Sequence, residues 1–282
     1  MPLTTHRSPL TVFQSPALTP FSVEWSIHPT VVGGVLLLAL GYLYGIGPLR
    51  RKLGPGTSLE WWRPLSFFAG LTVILISLNG PIHDLSDSYL FWVHMAQHLL
   101  LTMVLPPLLL AGLPGWLVER AVRRPGGRAI GRLVTHPVFA GVFFSAILLV
   151  WHTEGAYDLM MRSHTVHIVT HLLFMVAAVL LWWPVMSPAP SLPRLSPGSG
   201  MLYLFLVQLP MQLLGAIITF ADRPLYTWYL AAPRTWGLSP LDDQKLGGLL
   251  MWVPGNLWIW GAMSVLFFQW ARSEQEGVGS QQ

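Results

Sequence analysis

Residues 164–171 read His164-Thr-Val-His167-Ile-Val-Thr-His171, and residues 94–98 read His94-Met-Ala-Gln-His98. Both stretches stand within apolar runs. On an α-helix, positions i, i+3, i+4 and i+7 share one face, so each stretch stacks imidazoles along a single stripe. Two imidazoles one turn apart can present nitrogens to one ion, and imidazole is the commonest protein ligand for metals. The chemistry suggested is therefore metal binding. Imidazole suits copper, zinc and iron, and methionine thioether adds a preference for Cu(I). Met95 adjoins the first pair, and Met160-Met161 precede the second. Copper is the expected metal.

The chain has no cysteine. Disulfides, thiolate-held zinc, iron–sulfur clusters and a cysteine-borne copper relay within the chain are excluded. No hydrolase nucleophile motif and no phosphate-cradling glycine loop occurs either.

The helices that carry these residues are expected to lie in lipid. Of 282 residues, 53% are hydrophobic and 10% charged, against roughly 25% charged in a soluble domain. The 14 Trp, 24 Pro and 26 Gly suit membrane helices, where aromatics sit at the interfaces and Gly and Pro are tolerated. Seven apolar runs approach the roughly 20 residues needed to span. They cover Pro29–Ile46, Pro64–Asn79, Tyr89–Leu113, Pro137–His152, His164–Trp183, Gly200–Phe220 and Leu246–Trp270. The expected fold is all-α, a polytopic bundle of seven transmembrane helices in 29–271. Residues 1–28 form an extracytoplasmic tail without the apolar stretch of a signal peptide, and 272–282 a cytoplasmic tail.

Loop charge sets the orientation. Arg50, Arg51, Lys52, Arg63, Arg120, Arg123, Arg124, Arg128, Arg132, Arg194 and Arg272 fall on one side, which the positive-inside rule makes cytoplasmic. Glu24, Asp84, Asp87, Glu154, Asp158, Asp222, Asp242 and Asp243 fall on the other. The N-terminus is then outside and the C-terminus inside. The net charge of +4 is sorted by side rather than clustered for nucleic acid, so no nucleic-acid partner is expected. His28, His83, His94, His98, His152, His164, His167 and His171 all belong to the outer half. His136 is cytoplasmic and His6 is in the tail. Helix rise places His98 about 14 Å and His171 about 10 Å into the membrane, and polar groups at that depth usually face a cavity or a partner.

His98, His167 and His171 are the expected deep ligands. His94, His164, His152 and His83 form an access path or second site, with Asp84 and Asp158 placed to orient an imidazole. Met95 and Gln97 border the first pair. Gln208, Gln212 and Asn256, beside prolines that loosen their helices, read first as interhelical hydrogen-bonders and second as lining of a route. Methionines in such helices are more often packing than ligand. Asp242 and Asp243 read as a solvated loop face. Tyr226, Trp228, Tyr229 and Trp236 in the outer link 221–245 suit a lid lying on headgroups. The bland alternative for the histidines is helix packing by hydrogen bonds.

Taken together, the motifs resemble the CtaG-type cytochrome c oxidase assembly proteins of bacteria. The residues concerned are His94-x2-Gln97-His98 with Pro106-Pro107 and Gly112-x-Pro114, His136-Pro137, and Trp151-His152 with Tyr157. They continue with His164-x2-His167-x3-His171 and Trp182-Trp183-Pro184, Gln208-x-Pro210, and Ser239-Pro240-x2-Asp242-x-Gln244-x2-Gly247-Gly248-x2-Met251-Trp252. The resemblance covers nearly everything from Asn79 to Phe268. It implies a multi-span protein of the bacterial cytoplasmic membrane, not an enzyme. Such a protein assembles haem-copper oxidase by supplying copper to its CuB centre, with the oxidase catalytic subunit, other copper-delivery proteins and membrane lipid as partners. The cysteine-bearing single-span chaperone that shares the name is a different class. Other readings of the same residues are a zinc-dependent intramembrane hydrolase of the ceramidase-like type with Asp84 or Asp158 as base, a bis-histidine haem protein on His98 and His171, and a metal-free adaptor.

Overall fold

The computed structural model describes residues 26–53, 58–192, 194–234 and 236–279, the last three by backbone alone. The N-terminal tail through residue 25, with His6 and Glu24, and residues 280–282 lie outside the described residues. Helix α1 is Pro29–Leu53, α2 is Trp62–Ser77 and α3 is Gly80–Ser88, bent 44° from α2. Helix α4 is Phe91–Gly112. Then come α5 (Gly115–Val122), α6 (Gly127–Val134) and α7 (Pro137–Trp151), with α6 and α7 meeting at 60°. The chain continues through α8 (Glu154–Arg162), α9 (His164–Met186), α10 (Pro197–Phe220), α11 (Thr227–Ala231) and α12 (Pro240–Gly279).

Helices α1, α4, α9, α10 and α12 are long and apolar enough to cross a membrane alone, and the pairs α2–α3 and α6–α7 bring the number to seven if each is one broken span. No strand occurs among the described residues. The chain is an all-helical, polytopic membrane protein. Its surface agrees: Leu36, Leu37, Leu38 and Leu40 on α1, and Leu209, Leu213 and Ile217 on α10, are exposed, apolar surface that suits lipid.

Local chemistry explains where the spans begin. Pro29, Pro137 and Pro197 stand at helix starts, where a missing N–H costs nothing. The Ser163 and Ser196 hydroxyls accept from the backbone N–H of Val166 and Ser199, filling the cap role. The last span begins at Pro240 rather than Leu246. Ser239 accepts from the Asp242 N–H at 3.1 Å and donates to the Asp242 carboxylate at 2.6 Å, so the helix starts one turn and a half earlier than hydropathy indicates.

The start of α4 is set from another helix. Asp243, fully buried on α12, accepts from the N–H groups of Phe91 at 2.9 Å and Trp92 at 3.0 Å. That corrects the reading of Asp243 as solvated: only Asp242 of the two faces solvent. The neighbouring glycines let the helices meet. A Cβ on Gly247 would strike the Phe91 ring, and one on Gly248 would stand 2.6 Å from the Thr219 hydroxyl. At the other end of α4, Arg63 donates to the carbonyls of Ala111 at 3.1 Å and Leu113 at 3.0 Å, a cation on orphaned C-terminal carbonyls.

Within α4 the turn Leu100–Val104 is π-helical, with Leu105 N–H bonded to the Leu100 carbonyl. The cause follows immediately in sequence: Pro106 has no N–H for the Thr102 carbonyl. The Trp182 indole N–H of α9 takes that carbonyl at 3.0 Å. The main apolar core lies among α4, α7, α9, α10 and α12, and a second cluster joins α1 and α2 to α4.

Candidate metal centre

Helices α4 and α9 place their histidine stripes face to face. His94 Nε2 lies 2.8 Å from His98 Nε2, and His167 Nε2 lies 2.7 Å from His171 Nε2. Across the gap the rings of His94 and His167 stack 5.6 Å apart, those of His94 and His171 5.7 Å apart, and those of His98 and His171 meet edge to face at 5.1 Å. One nitrogen from each of His94, His98 and His171 falls within 4.8 Å of the others, as do Asp87, His94 and His167. Nitrogens sharing an ion at about 2 Å stand roughly 3.5 Å apart, a spacing of the same order as that of these rings.

The chain of rings extends both ways. Outward, His167 is 6.1 Å from His83, which meets His28 at 4.5 Å, and His28 is 6.5 Å from His164. Inward, His98 is 6.1 Å from His152. Burial grades along it: His164 is exposed, His28 and His83 are half-buried, and His94, His98, His152, His167 and His171 are buried. A groove of about 450 Å³ between α1, α2 and α9 opens beside the outer members, with His28, His83, His164, His167 and His171 on one wall and Val31, Val35, Leu38, Ile74 and Met175 among its apolar lining.

Hydrogen-bond partners fix the ring protons. The Tyr229 hydroxyl donates its single hydrogen to the Ser86 carbonyl at 2.5 Å. Against His94 Nδ1, 3.2 Å away, it must then accept. His94 therefore carries its proton on Nδ1 and leaves Nε2 as a bare lone pair. Burial pushes the Tyr229 and Tyr157 hydroxyls well above their ordinary range, so both remain donors. His98 gives its Nε2 hydrogen to His94, which leaves His98 Nδ1 bare, buried and without a partner. The second pair repeats the scheme. Asp87 lies 3.4 Å from His167 Nδ1, His167 Nε2 faces His171 Nε2, and His171 Nδ1 is buried without a partner. Such oriented, neutral imidazoles are what a metal ligand requires.

The sequence candidates are distributed as follows. His94, His98, His167 and His171 converge, with His83 and His164 on the outer side. His152, expected on an access path, is buried: its Nδ1 donates to the Leu148 carbonyl at 2.7 Å, and Tyr226 donates to its carbonyl at 3.1 Å. Gln97 donates to the Ser77 carbonyl at 2.6 Å and to His83 Nδ1 at 3.3 Å, so it positions His83. Asp84 accepts from the Ser26 N–H and hydroxyl, and Asp158 from the Thr227 hydroxyl and Trp228 N–H. Each holds a loop, and the carboxylate beside the imidazoles is Asp87. Met95 is fully buried against Gly247. Gln212 donates to Asn256 at 2.7 Å across α10 and α12, while Gln208 is buried with Oε1 unpartnered.

Asp87, Tyr229, Tyr157 and His28 were not singled out as site residues by the sequence. Tyr226 and Tyr229 do not lie on headgroups; they turn inward and roof the cluster, both buried, with Tyr226 stacked 4.8 Å over Phe91.

A family model described as cytochrome c oxidase caa3 assembly factor (Caa3_CtaG) matches residues 40–273. The chain is 26% identical over 279 residues to uncharacterized proteins of Mycobacterium bovis and Mycobacterium tuberculosis, covering 93% of this chain and 42% of each relative. It is 23% identical over 278 residues to an uncharacterized protein of Mycobacterium leprae, covering 93% of this chain and 41% of that one. The chain thus spans 42% or less of the length of these curated relatives. No solved structure matches it.

Proposed function

The chain belongs to the Caa3_CtaG family, and from that premise we propose that it assists assembly of a haem-copper cytochrome c oxidase by binding copper on the paired imidazoles of α4 and α9 and delivering it to the CuB centre. The reading is of a carrier, not an enzyme. The observation that carries it is the repeated arrangement of His94–His98 and His167–His171, each pair held at its outer ring by an oxygen and ending in an unpartnered inner nitrogen.

The donor set favours copper. Neutral nitrogens dominate, no cysteine is present, and a single carboxylate stands at the outer edge. Two or three imidazoles suit exchangeable Cu(I), which a carrier must release; a closed four-ligand site would hold it. His164, His28 and His83 line the approach beside the groove. The basic ends of the spans, at Arg50, Arg51, Lys52 and Arg63, are those remote from the imidazoles in sequence. The positive-inside rule then puts the cluster at the outer leaflet of a bacterial cytoplasmic membrane, with the N-terminus outside. The oxidase catalytic subunit would receive the ion.

The group Asp87, His94 and His167 is the feature that favours zinc instead. Asp84 and Asp158, needed there as bases, are each occupied by a loop. For a haem held between His98 and His171, the two rings stand 5.1 Å apart, centroid to centroid, leaving no room for a macrocycle between them.

Elemental analysis of the detergent-purified protein tests the proposal. Copper is expected, with its content reduced at least tenfold in His98→Ala and His171→Ala. Unchanged copper in both variants would overturn the ligand assignment, and stoichiometric zinc would overturn the metal.

A further inference from the structure

Below the paired imidazoles, a small cavity of about 20 Å³ lies among α4, α7, α9, α10 and α12. A single ion or water fits such a space. Its lining includes His98, His152 and three methionines, Met95, Met211 and Met251, from three helices. The remainder, Leu99, Thr102, Phe144, Leu148 and Phe174, offers no free charge, and the Thr102 hydroxyl donates to the His98 carbonyl at 2.7 Å.

Two nitrogens at this cavity have no partner: His98 Nδ1 and His152 Nε2. Both residues are more than nine-tenths buried, at 8% and 7% exposure. The hydrogen-bond scheme makes both nitrogens bare lone pairs, because His98 donates through Nε2 to His94 and His152 donates through Nδ1 to Leu148. Two lone pairs and no donor call for a cation or a water between them. Thioether sulfurs are poor partners for water and good ones for a soft metal. Met211 is held near by the absence of a side chain at Gly255, where a Cβ would stand 2.9 Å from the Met211 methyl.

We propose that this cavity is a second, softer Cu(I) position, with His98 Nδ1, His152 Nε2 and one or more of the thioethers of Met95, Met211 and Met251 as ligands. It rests on the copper reading and deepens it. His98 borders both positions, with Nε2 toward the paired imidazoles and Nδ1 toward the cavity. Copper passes between them by ligand exchange with the oxidation state unchanged: while His98 Nε2 holds the ion its proton stands on Nδ1, and as Nδ1 takes the ion into the cavity that proton returns to Nε2. When both positions are filled, His98 serves the cavity and His94 and His171 hold the first ion. The lack of carboxylate excludes hard cations, so this end of the path selects for reduced copper.

Selenium in place of sulfur leaves the fold intact and gives a direct readout. The full-length protein, labelled with selenomethionine and loaded with Cu(I) in detergent, is examined by copper-edge X-ray absorption. Copper–selenium scattering is expected, together with a second equivalent of Cu(I) that the Met211→Leu/Met251→Leu variant loses while the first remains. His171→Ala should do the reverse, weakening the first equivalent and keeping the selenium neighbour. Copper bound to wild type with nitrogen neighbours alone overturns the second position and leaves the carrier reading standing. Wild type that binds no Cu(I) overturns both.

Discussion

Between α10 and α12, Gln212 gives an amide hydrogen to Asn256 at 2.7 Å, and two polar side chains inside apolar helices satisfy each other. Between α4 and α9 the imidazoles do the opposite. Each pair bonds along its own helix, and His98 and His171 each keep an unpartnered nitrogen. Both seams look alike as sequence: polar residues one turn apart, amid leucines, on helices that also carry proline. What separates them is the fate of the last donor or acceptor. An amide carries both and can close a pair with its like. A neutral imidazole has one of each, and four in a row leave lone pairs over. The Gln212–Asn256 contact is closed, although Gln208 one turn away keeps Oε1 unpartnered; the imidazole row leaves two bare nitrogens.

Three substitutions test that contrast, the one with the largest effect first. Asp243→Ala removes the carboxylate that α12 extends to the start of α4 and leaves two buried N–H groups bare. A loss of about 3 kcal/mol of stability is expected, read as lower detergent-resistance of the fold, and a weaker copper signal should accompany it because His94 and His98 ride on that helix. Stability lost with copper affinity intact would break the link between the cap and the ligands. Tyr229→Phe leaves His94 Nδ1, the Ser86 carbonyl and the Tyr157 hydroxyl without their shared oxygen. Copper affinity should fall about tenfold, the low end for loss of an orienting partner, with roughly 1–2 kcal/mol of stability lost; equal affinity would show that the tyrosine only roofs the cluster. Asn256→Ala should cost about 0.6 kcal/mol, typical of interhelical hydrogen bonds in membranes, and leave copper untouched. A copper defect there would mean the amide seam belongs to the route after all.

The apolar spans and the two histidine stripes were legible in the sequence because both follow from apolar length and helical period; that α4 and α9 face each other was an assumption those periods do not supply. The short-range devices were legible in part. Ser239 followed by Asp242 is a cap, and reading it as one starts α12 at Pro240 and turns Asp243 inward; hydropathy, which registers only apolar residues, starts it at Leu246. Tyr229 and Asp87 were not legible. A tyrosine in an outer link has the composition of an interfacial anchor, and only the fold shows that α11 turns it onto His94. The burial of His152 was not legible for a similar reason: it follows α7 directly in sequence, yet its ring lies among Tyr157, Phe174 and His98.

Below the imidazoles, Trp182 of α9 grips the Thr102 carbonyl of α4 at 3.0 Å, the carbonyl that Pro106 frees. The two histidine-bearing helices are thus riveted at depth, while nearer the surface they meet through side chains alone. A pair of rods fastened at one end opens like tongs. Widening the space around an ion then turns on that indole, and the gap grows fastest at the rings of His94 and His167, farthest from the rivet.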